Sequence, residues 1–509
     1  MTGQRNARQT PIIVSLLRLA ADRPSATVFI HGEQAYSAAY TASQVVSVAN
    51  DLKKKSFPTN TLALSLANSP EFVFAFLAGN LCGLNVQVLN AGWPVSLLQK
   101  TITALRPDWL LHDGAVPLPQ PALPYTDIPQ EGFSSAEFLR LAEQCADTRD
   151  LSRAFYTGFT SGSGGVPKGF VRSEASWLQS FALDKKEFSL DSDDVIVCPG
   201  SFAHSLFLYA LLRGIDLAVP VLTFSRFHPA KIINKIQDCK ASIIYVVPTQ
   251  LQALHEAARN RKVRLDSVRL VLSSGEKLPL TLRQSLIDTM PEAEICEFYG
   301  SSELSYISVC KPADCPPAGS VGRVLDGVEV DIRDESGRSL SANESGRIFV
   351  KSPLRFIGYA EQGGKTNLRS MPFSGGFLGS GDTGYLDDNG FLFITGRSDR
   401  MITTSGHTIN PEEIEAVLLR VDGVRHAAVI PIDDSRRGQR LLAILAPQPG
   451  TALRSAQLTE FCARYLPDYM VPRMYYTLNE WPLTVSHKTD YPCLQKLLAD
   501  GRLFRLETR

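Results

Sequence analysis

The chain has 509 residues, 52 Lys plus Arg against 52 Asp plus Glu, and 44% hydrophobic residues. That length exceeds one ordinary core, so at least two domains are expected. Balanced charge gives no basic field for nucleic acid, and no run of about eighteen apolar residues marks a transmembrane segment. The start, Met1-Thr2-Gly3-Gln4-Arg5, has no apolar signal-peptide core beside it. The nine cysteines are scattered and include no Cys-x-x-Cys pair. Buried thiols in a reducing cytoplasm are the simplest expectation, with neither a zinc ribbon nor a disulfide framework.

Taken in chain order, short apolar runs alternate with amphipathic stretches. Residues 61–66 predict a strand, 71–79 a helix and 86–89 a strand; later come a strand over 242–247, a helix over 249–259 and a strand over 268–272. This βαβ rhythm implies an α/β fold with parallel-rich sheets and helices on both faces. After about residue 320 the pattern turns to shorter β segments, 328–332, 346–350 and 390–394, read as a small β region. From Gly396 a unit of α+β character begins, with a helix over 411–419 and strands over 424–431 and 441–445. Pro411 suits a first helical turn, and Glu412 and Glu413 suit the positive end of the dipole. The expected division is 1–398 and 399–509.

The densest chemical signal is Tyr156-Thr157-Gly158-Phe159-Thr160-Ser161-Gly162-Ser163-Gly164-Gly165-Val166-Pro167-Lys168-Gly169. Glycines let several backbone N–H groups converge on one point, hydroxyls add donors, and Lys168 supplies a positive point charge. A flexible linker would need neither the Pro-Lys-Gly ending nor the apolar flanks. A Walker loop is excluded because Gly169, not Ser or Thr, follows the lysine. The dinucleotide fingerprint fails because no glycine lies three residues after Gly164. Phosphate binding by a third kind of loop remains.

Other segments are locally ambiguous. Tyr299-Gly300-Ser301-Ser302-Glu303 reads as a turn after a strand, and Gly381-Asp382-Thr383-Gly384 as a hairpin turn. In Pro199-Gly200-Ser201-Phe202-Ala203-His204-Ser205-Leu206-Phe207, the apolar residues suit a ligand tunnel or helix core equally, and His204 a pocket or a structural role.

Together these segments are identified as those of the adenylate-forming superfamily of acyl-CoA synthetases, peptide-synthetase adenylation domains and luciferases. Thr160 to Gly169 resembles its T-S-G-T-T-G-x-P-K-G loop. Glu297 to Glu303 resembles its Y-G-x-T-E segment, with Ser302 in the threonine place. Gly379-Ser380-Gly381-Asp382 resembles T-G-D, with Ser380 for threonine, and Gly396 to Glu415 resembles the long G-R-x-D signature. Pro482-Leu483-Thr484-Val485-Ser486-His487-Lys488 resembles P-L-T-x-N-G-K, with Ser486-His487 replacing Asn-Gly. The resemblance spans essentially the whole chain.

It implies ATP, Mg²⁺ and coenzyme A as cofactors. Thr160, Ser161, Gly162, Ser163, Gly164, Gly165 and Lys168 would cradle phosphates. Gly275 and Glu276, with Tyr299, Gly300 and Ser301, would hold adenine; Ser302 would touch the α-phosphate and Glu303 the metal. Asp382 and Arg397 would hold the ribose. Lys488 would bridge the acyl carboxylate and phosphate, Asp399 would be the hinge of a mobile C-terminal domain, and Gly406 would lie beside pantetheine. Ala203 stands where amino-acid-activating relatives place an aspartate, which favours an acid without an α-ammonium, most simply a medium- or long-chain fatty acid. An aryl acid, or an acyl or peptidyl carrier protein in place of coenzyme A, is the alternative. Ala203 and His204 would line the acid pocket.

Overall fold

The computed structural model describes residues 9–113, 122–125, 132–160, 167–360, 375–397, 400, 402–404, 407–434, 438–484 and 489–506. It divides into two compact units, Met1–Glu329 with Val350–Leu378, and Val330–Phe349 with Gly379–Arg509.

The first unit holds two sheets. One orders its strands Gly358–Tyr359, Lys168–Ser173, Ala154–Thr160, Asn85–Val88, Thr61–Ser65, Trp109–His112 and Ala122–Pro124. Its pairs from Ala154–Thr160 onward are parallel, while Lys168–Ser173 runs antiparallel to both its neighbours. The other places Glu294–Ser301, Leu270–Ser273, Ile243–Val246, Ile196–Cys198, Val221–Thr223 and Thr27–His31 side by side as parallel strands. Ile243-Ile244-Tyr245-Val246 is buried at every position, as a parallel strand covered on both faces must be.

The covering helices begin one residue before the predicted starts at 71 and 249, each on a proline. Pro70–Leu81 has Pro70 in its first turn and Ser69 Oγ accepting from the Phe72 N–H at 3.3 Å. Pro248–Asn260 sends Leu251, Leu254 and Ala258 into a core with Ile244, Val246 and Val271.

In the second unit, Glu329–Arg333, Gly346–Lys351, Leu378–Leu386 and Phe391–Arg397 lie side by side in that order. A long hairpin of Val424–Asp434 and Gly438–Pro447 dominates the rest, with Met474–Thr477 parallel to its second arm. Ile414, Leu418 and Leu458 pack on one face of this sheet and Leu494 and Leu503 on the other. Among the described residues no helix is long and apolar enough to cross a membrane.

Candidate active site

The glycine-rich segment is the tip of an antiparallel hairpin. Ala154–Thr160 pairs with Lys168–Ser173, and Thr160 stands directly opposite Lys168 at the mouth. The element after the loop is therefore a strand. An anion held there would meet Thr160 and the exposed Lys168 at the two strand ends. Residues 161–165 lie outside the described residues. The Lys168 ammonium sits 6.0 Å from the centre of the Tyr359 ring.

Tyr359 joins that lysine to the second segment. Its hydroxyl donates to Glu303 Oε1 at 2.9 Å, and the Phe356 N–H donates to the Glu303 carbonyl at 2.6 Å. Glu297 to Ser301 does not follow a strand but forms the end of one, Glu294–Ser301, which turns at 302–304 into the antiparallel Ser305–Cys310. Gly300 permits that return: a Cβ there would lie 1.9 Å from the Ser305 carbonyl oxygen. Ser302 and Glu303, both half-buried, thus ride on the turn, with Ser302 Oγ 3.4 Å from Ser205 Oγ. The neighbouring turn holds Gly275 at φ +97° and an exposed Glu276; Ser274 Oγ ties it to the Phe298 carbonyl at 3.0 Å, next to the half-buried Tyr299.

Beneath the turn lies Arg172, a residue the sequence did not single out. Its Nη1 donates to the Ser302 carbonyl at 3.0 Å, its Nη2 to the Leu354 carbonyl at 2.7 Å and its Nε to Ser176 Oγ at 3.1 Å. A charged residue next to the apolar pair Phe170-Val171 was the only signal available for it.

His204 is exposed and Ala203 half-buried at the start of the helix Ser205–Leu217. Asn68 fixes the loop before them. Its Nδ2 donates to the Gly200 and Phe224 carbonyls at 2.7 and 3.2 Å, and its Oδ1 accepts from the Phe202 N–H at 2.9 Å. Of the apolar residues that follow, Phe207, Leu208 and Tyr209 are helix core. Tyr209 donates to Asp184 at 2.6 Å and packs against Trp177, Phe181 and Tyr306. Arg213 Nε lies 2.8 Å from the same carboxylate. Burial pushes the Asp184 carboxyl up to about 7, against the pull of Arg213 and Tyr209.

In the second unit, Asp382 and Arg397 are cross-strand partners on Leu378–Leu386 and Phe391–Arg397, with Nη1 3.2 Å from Oδ1. Asp382-Thr383-Gly384 is therefore mid-strand, not a hairpin turn. Arg400 forms ion pairs with Glu412 at 2.7 Å and Glu415 at 2.6 Å and stacks 3.6 Å from the Tyr491 ring centre. Asp399, Gly406 and Lys488 lie outside the described residues.

The sequence profile of the family described as AMP-binding enzyme matches residues 16–360, about two thirds of the chain, and that of the AMP-binding enzyme C-terminal domain matches residues 413–488. The chain belongs to the AMP-binding enzyme family. It is an adenylate-forming ligase. It is 32% identical over 461 residues to an uncharacterized acyl–CoA ligase, YhfT, of Bacillus subtilis strain 168, covering 90% of this chain and 92% of that protein. It is 30% identical to a putative long chain fatty acid-CoA ligase, VraA, of Staphylococcus epidermidis, covering 68% and 72%. The solved o-succinylbenzoate CoA synthetase (MenE) of Bacillus subtilis shares the fold with TM-score 0.80 at 24% identity, covering 95% and 98%.

A solved MenE structure of Bacillus subtilis, 23% identical to this chain with TM-score 0.77, is in complex with ATP and a magnesium ion, and the residues present here would suit Mg²⁺ in a particular way. Among the described residues no group of three or more His, Cys, Asp or Glu could form a protein cage for a metal. Glu303 offers one carboxylate, oriented through Oε1, beside the Ser302 hydroxyl. One carboxylate plus phosphate oxygens and water is the usual Mg²⁺ shell on a nucleotide.

Proposed function

We propose that the protein joins a carboxylic acid to the AMP portion of ATP with release of pyrophosphate, then passes the acyl group to the thiol of coenzyme A with release of AMP. What carries this reading is the meeting of Lys168 and Glu303 at Tyr359, at the mouth of a glycine-rich hairpin. A cation and a carboxylate beside a sequence whose glycines can turn N–H groups toward one point are the parts that binding a magnesium triphosphate calls for.

A carboxylate is a poor electrophile, and a mixed anhydride with AMP gives it a good leaving group. A carboxylate oxygen bonds to the α-phosphorus in line while the bond from that phosphorus to pyrophosphate breaks. Thr160, Ser161 and Ser163 donate to phosphate oxygens, and Lys168 offsets their charge. Ser302 meets the α-phosphate, Tyr299 stacks on adenine beside Gly275 and Gly300, and Asp382 with Arg397 holds the ribose. Bound Mg²⁺ would neutralise phosphate oxygens next to Glu303. Lys488 bridges the acyl carboxylate and phosphate. Rotation at Asp399, the seam between 1–398 and 399–509, then brings Gly406 to the thiol for the second step.

The acid is a medium- or long-chain fatty acid: Ala203 offers no charge to an α-ammonium, and VraA is named for such a substrate. A shorter or aryl acid is the second reading, favoured because Phe207, Leu208 and Tyr209 are occupied in packing and do not line a tunnel. A cytoplasmic location accords with the scattered thiols.

Pyrophosphate exchange against fatty, aryl and amino acids, followed by addition of coenzyme A, tests the whole reading. Exchange and thioester formation with a fatty acid support it. Exchange without a coenzyme A product points to a carrier-protein acceptor, and no exchange with any acid refutes adenylation.

A further inference from the structure

Lys168 and Arg172 share one strand but not one environment: Lys168 is exposed, and Arg172 is 3% exposed. All the hydrogen-bond acceptors of Arg172 are neutral, the carbonyls of Ser302 and Leu354 and the hydroxyl of Ser176. Among the described residues it forms no ion pair. Buried charges are ordinarily matched by an opposite charge, because neutral dipoles offset only part of the lost hydration. Burial draws the Arg172 pKa down to about 10, against the opposing influence of Tyr156, Tyr209 and, least of the three, Glu303. Yet the Glu303 carboxylate takes its hydrogen bond from the Tyr359 hydroxyl. The turn that carries Ser302 and Glu303 therefore rests on a cation whose countercharge is not in contact with it.

We propose that Arg172 positions the Ser302–Glu303 turn and supplies fixed positive charge from beneath it, and that the phosphate of the bound nucleotide is the countercharge the protein omits. The inference rests on the nucleotide-binding reading of this site. Arg172 then contributes to the phosphate and not to the nucleoside. AMP and ATP gain from it, and adenosine does not. A purely structural rivet between residues 172, 302 and 354 would instead affect all three ligands alike.

Calorimetric titration of adenosine, AMP and ATP into the wild type, Arg172→Gln and Arg172→Lys separates these. Arg172→Gln should weaken AMP and ATP by about tenfold or more while adenosine changes less than about twofold. Arg172→Lys should keep most of the preference for AMP over adenosine. Equal weakening of all three ligands, or unchanged AMP and ATP binding, overturns the proposal. A wild type that binds none of the three overturns the nucleotide reading itself and this role with it. Should Arg172→Gln fail to fold by near-ultraviolet circular dichroism, Arg172→Lys decides: a preserved AMP preference supports the charge role, and its collapse overturns it.

Discussion

Tyr359→Phe isolates one hydrogen bond at the site. The substitution removes the hydroxyl that donates to Glu303 Oε1 at 2.9 Å but keeps the ring that Lys168 approaches at 6.0 Å. A hydrogen bond to an ionised group contributes about 1.5–3 kcal/mol when buried. Tyr359 and Glu303 are both only half-buried, so about 1–1.5 kcal/mol is the fair range after screening. At 1.4 kcal/mol per decade this is a factor of about 5–12. Outer partners of a metal-binding carboxylate act mainly by orienting it. The loss should therefore appear as a 5–12-fold rise, about one decade, in the Mg²⁺ concentration for half-maximal pyrophosphate exchange. Exchange at saturating Mg²⁺ should recover most of the wild-type rate, and the melting temperature should barely move. Glu303→Gln should leave exchange impaired at any Mg²⁺ concentration. An unaltered Mg²⁺ midpoint in Tyr359→Phe would refute the claim that Tyr359 orients a metal-binding Glu303.

Asn68→Ala strips partners from the Gly200 carbonyl and the Phe202 N–H. It should lower stability by about 2–3 kcal/mol and raise KM for the acid more than for ATP, as denaturant titration and exchange kinetics would show; equal changes in both KM values would contradict a pocket-loop role. The pH response of Asp184 has a defined sign. Its folded pKa lies above the ordinary carboxylate value, so its stabilising contribution is present at low pH and fades as pH rises through about 7. From pH 5 to 8 the stability difference should move toward Asp184→Asn by up to about 3 kcal/mol; a flat difference would mean that Asp184 stays ionised against Arg213. Lys488→Ala should cripple pyrophosphate exchange yet spare thioester formation from supplied acyl adenylate, and equal loss in both assays would remove its assignment.

What the sequence made legible was local. Ile243-Ile244-Tyr245-Val246 is apolar throughout because it is covered on both faces, and Ser69-Pro70-Glu71 marks a helix start by chemistry within four residues. Spacing alone, however, misread extended segments rich in glycine and hydroxyls. Asp382-Thr383-Gly384 suits a turn in isolation, but pairing with Phe391–Arg397 holds it extended. Tyr299-Gly300-Ser301 is drawn into a strand in the same way by Ser305–Cys310. Periodicity does not say which face of the helix Ser205–Leu217 meets the interior; the bond from Tyr209 to Asp184 is what marks that face as core.

The supporting groups were hidden for a different reason. Arg172 reaches Ser302 and Leu354 across 130 and 182 residues, and Asn68 reaches Gly200 across 132. No local pattern announces such partners. Among the residues proposed to touch ligand, Thr160, Lys168, Ser302 and Glu303 sit at a hairpin mouth or a turn, where glycine, proline and hydroxyls leave a compositional trace. Those that hold them in place sit inside strands and at helix starts, where a single polar residue looks like an exception. In this site that exception is informative. A buried Arg172 with only neutral acceptors, beneath a Glu303 held by Tyr359, leaves a positive charge under the turn without an anion in contact, which a nucleotide phosphate is suited to offset.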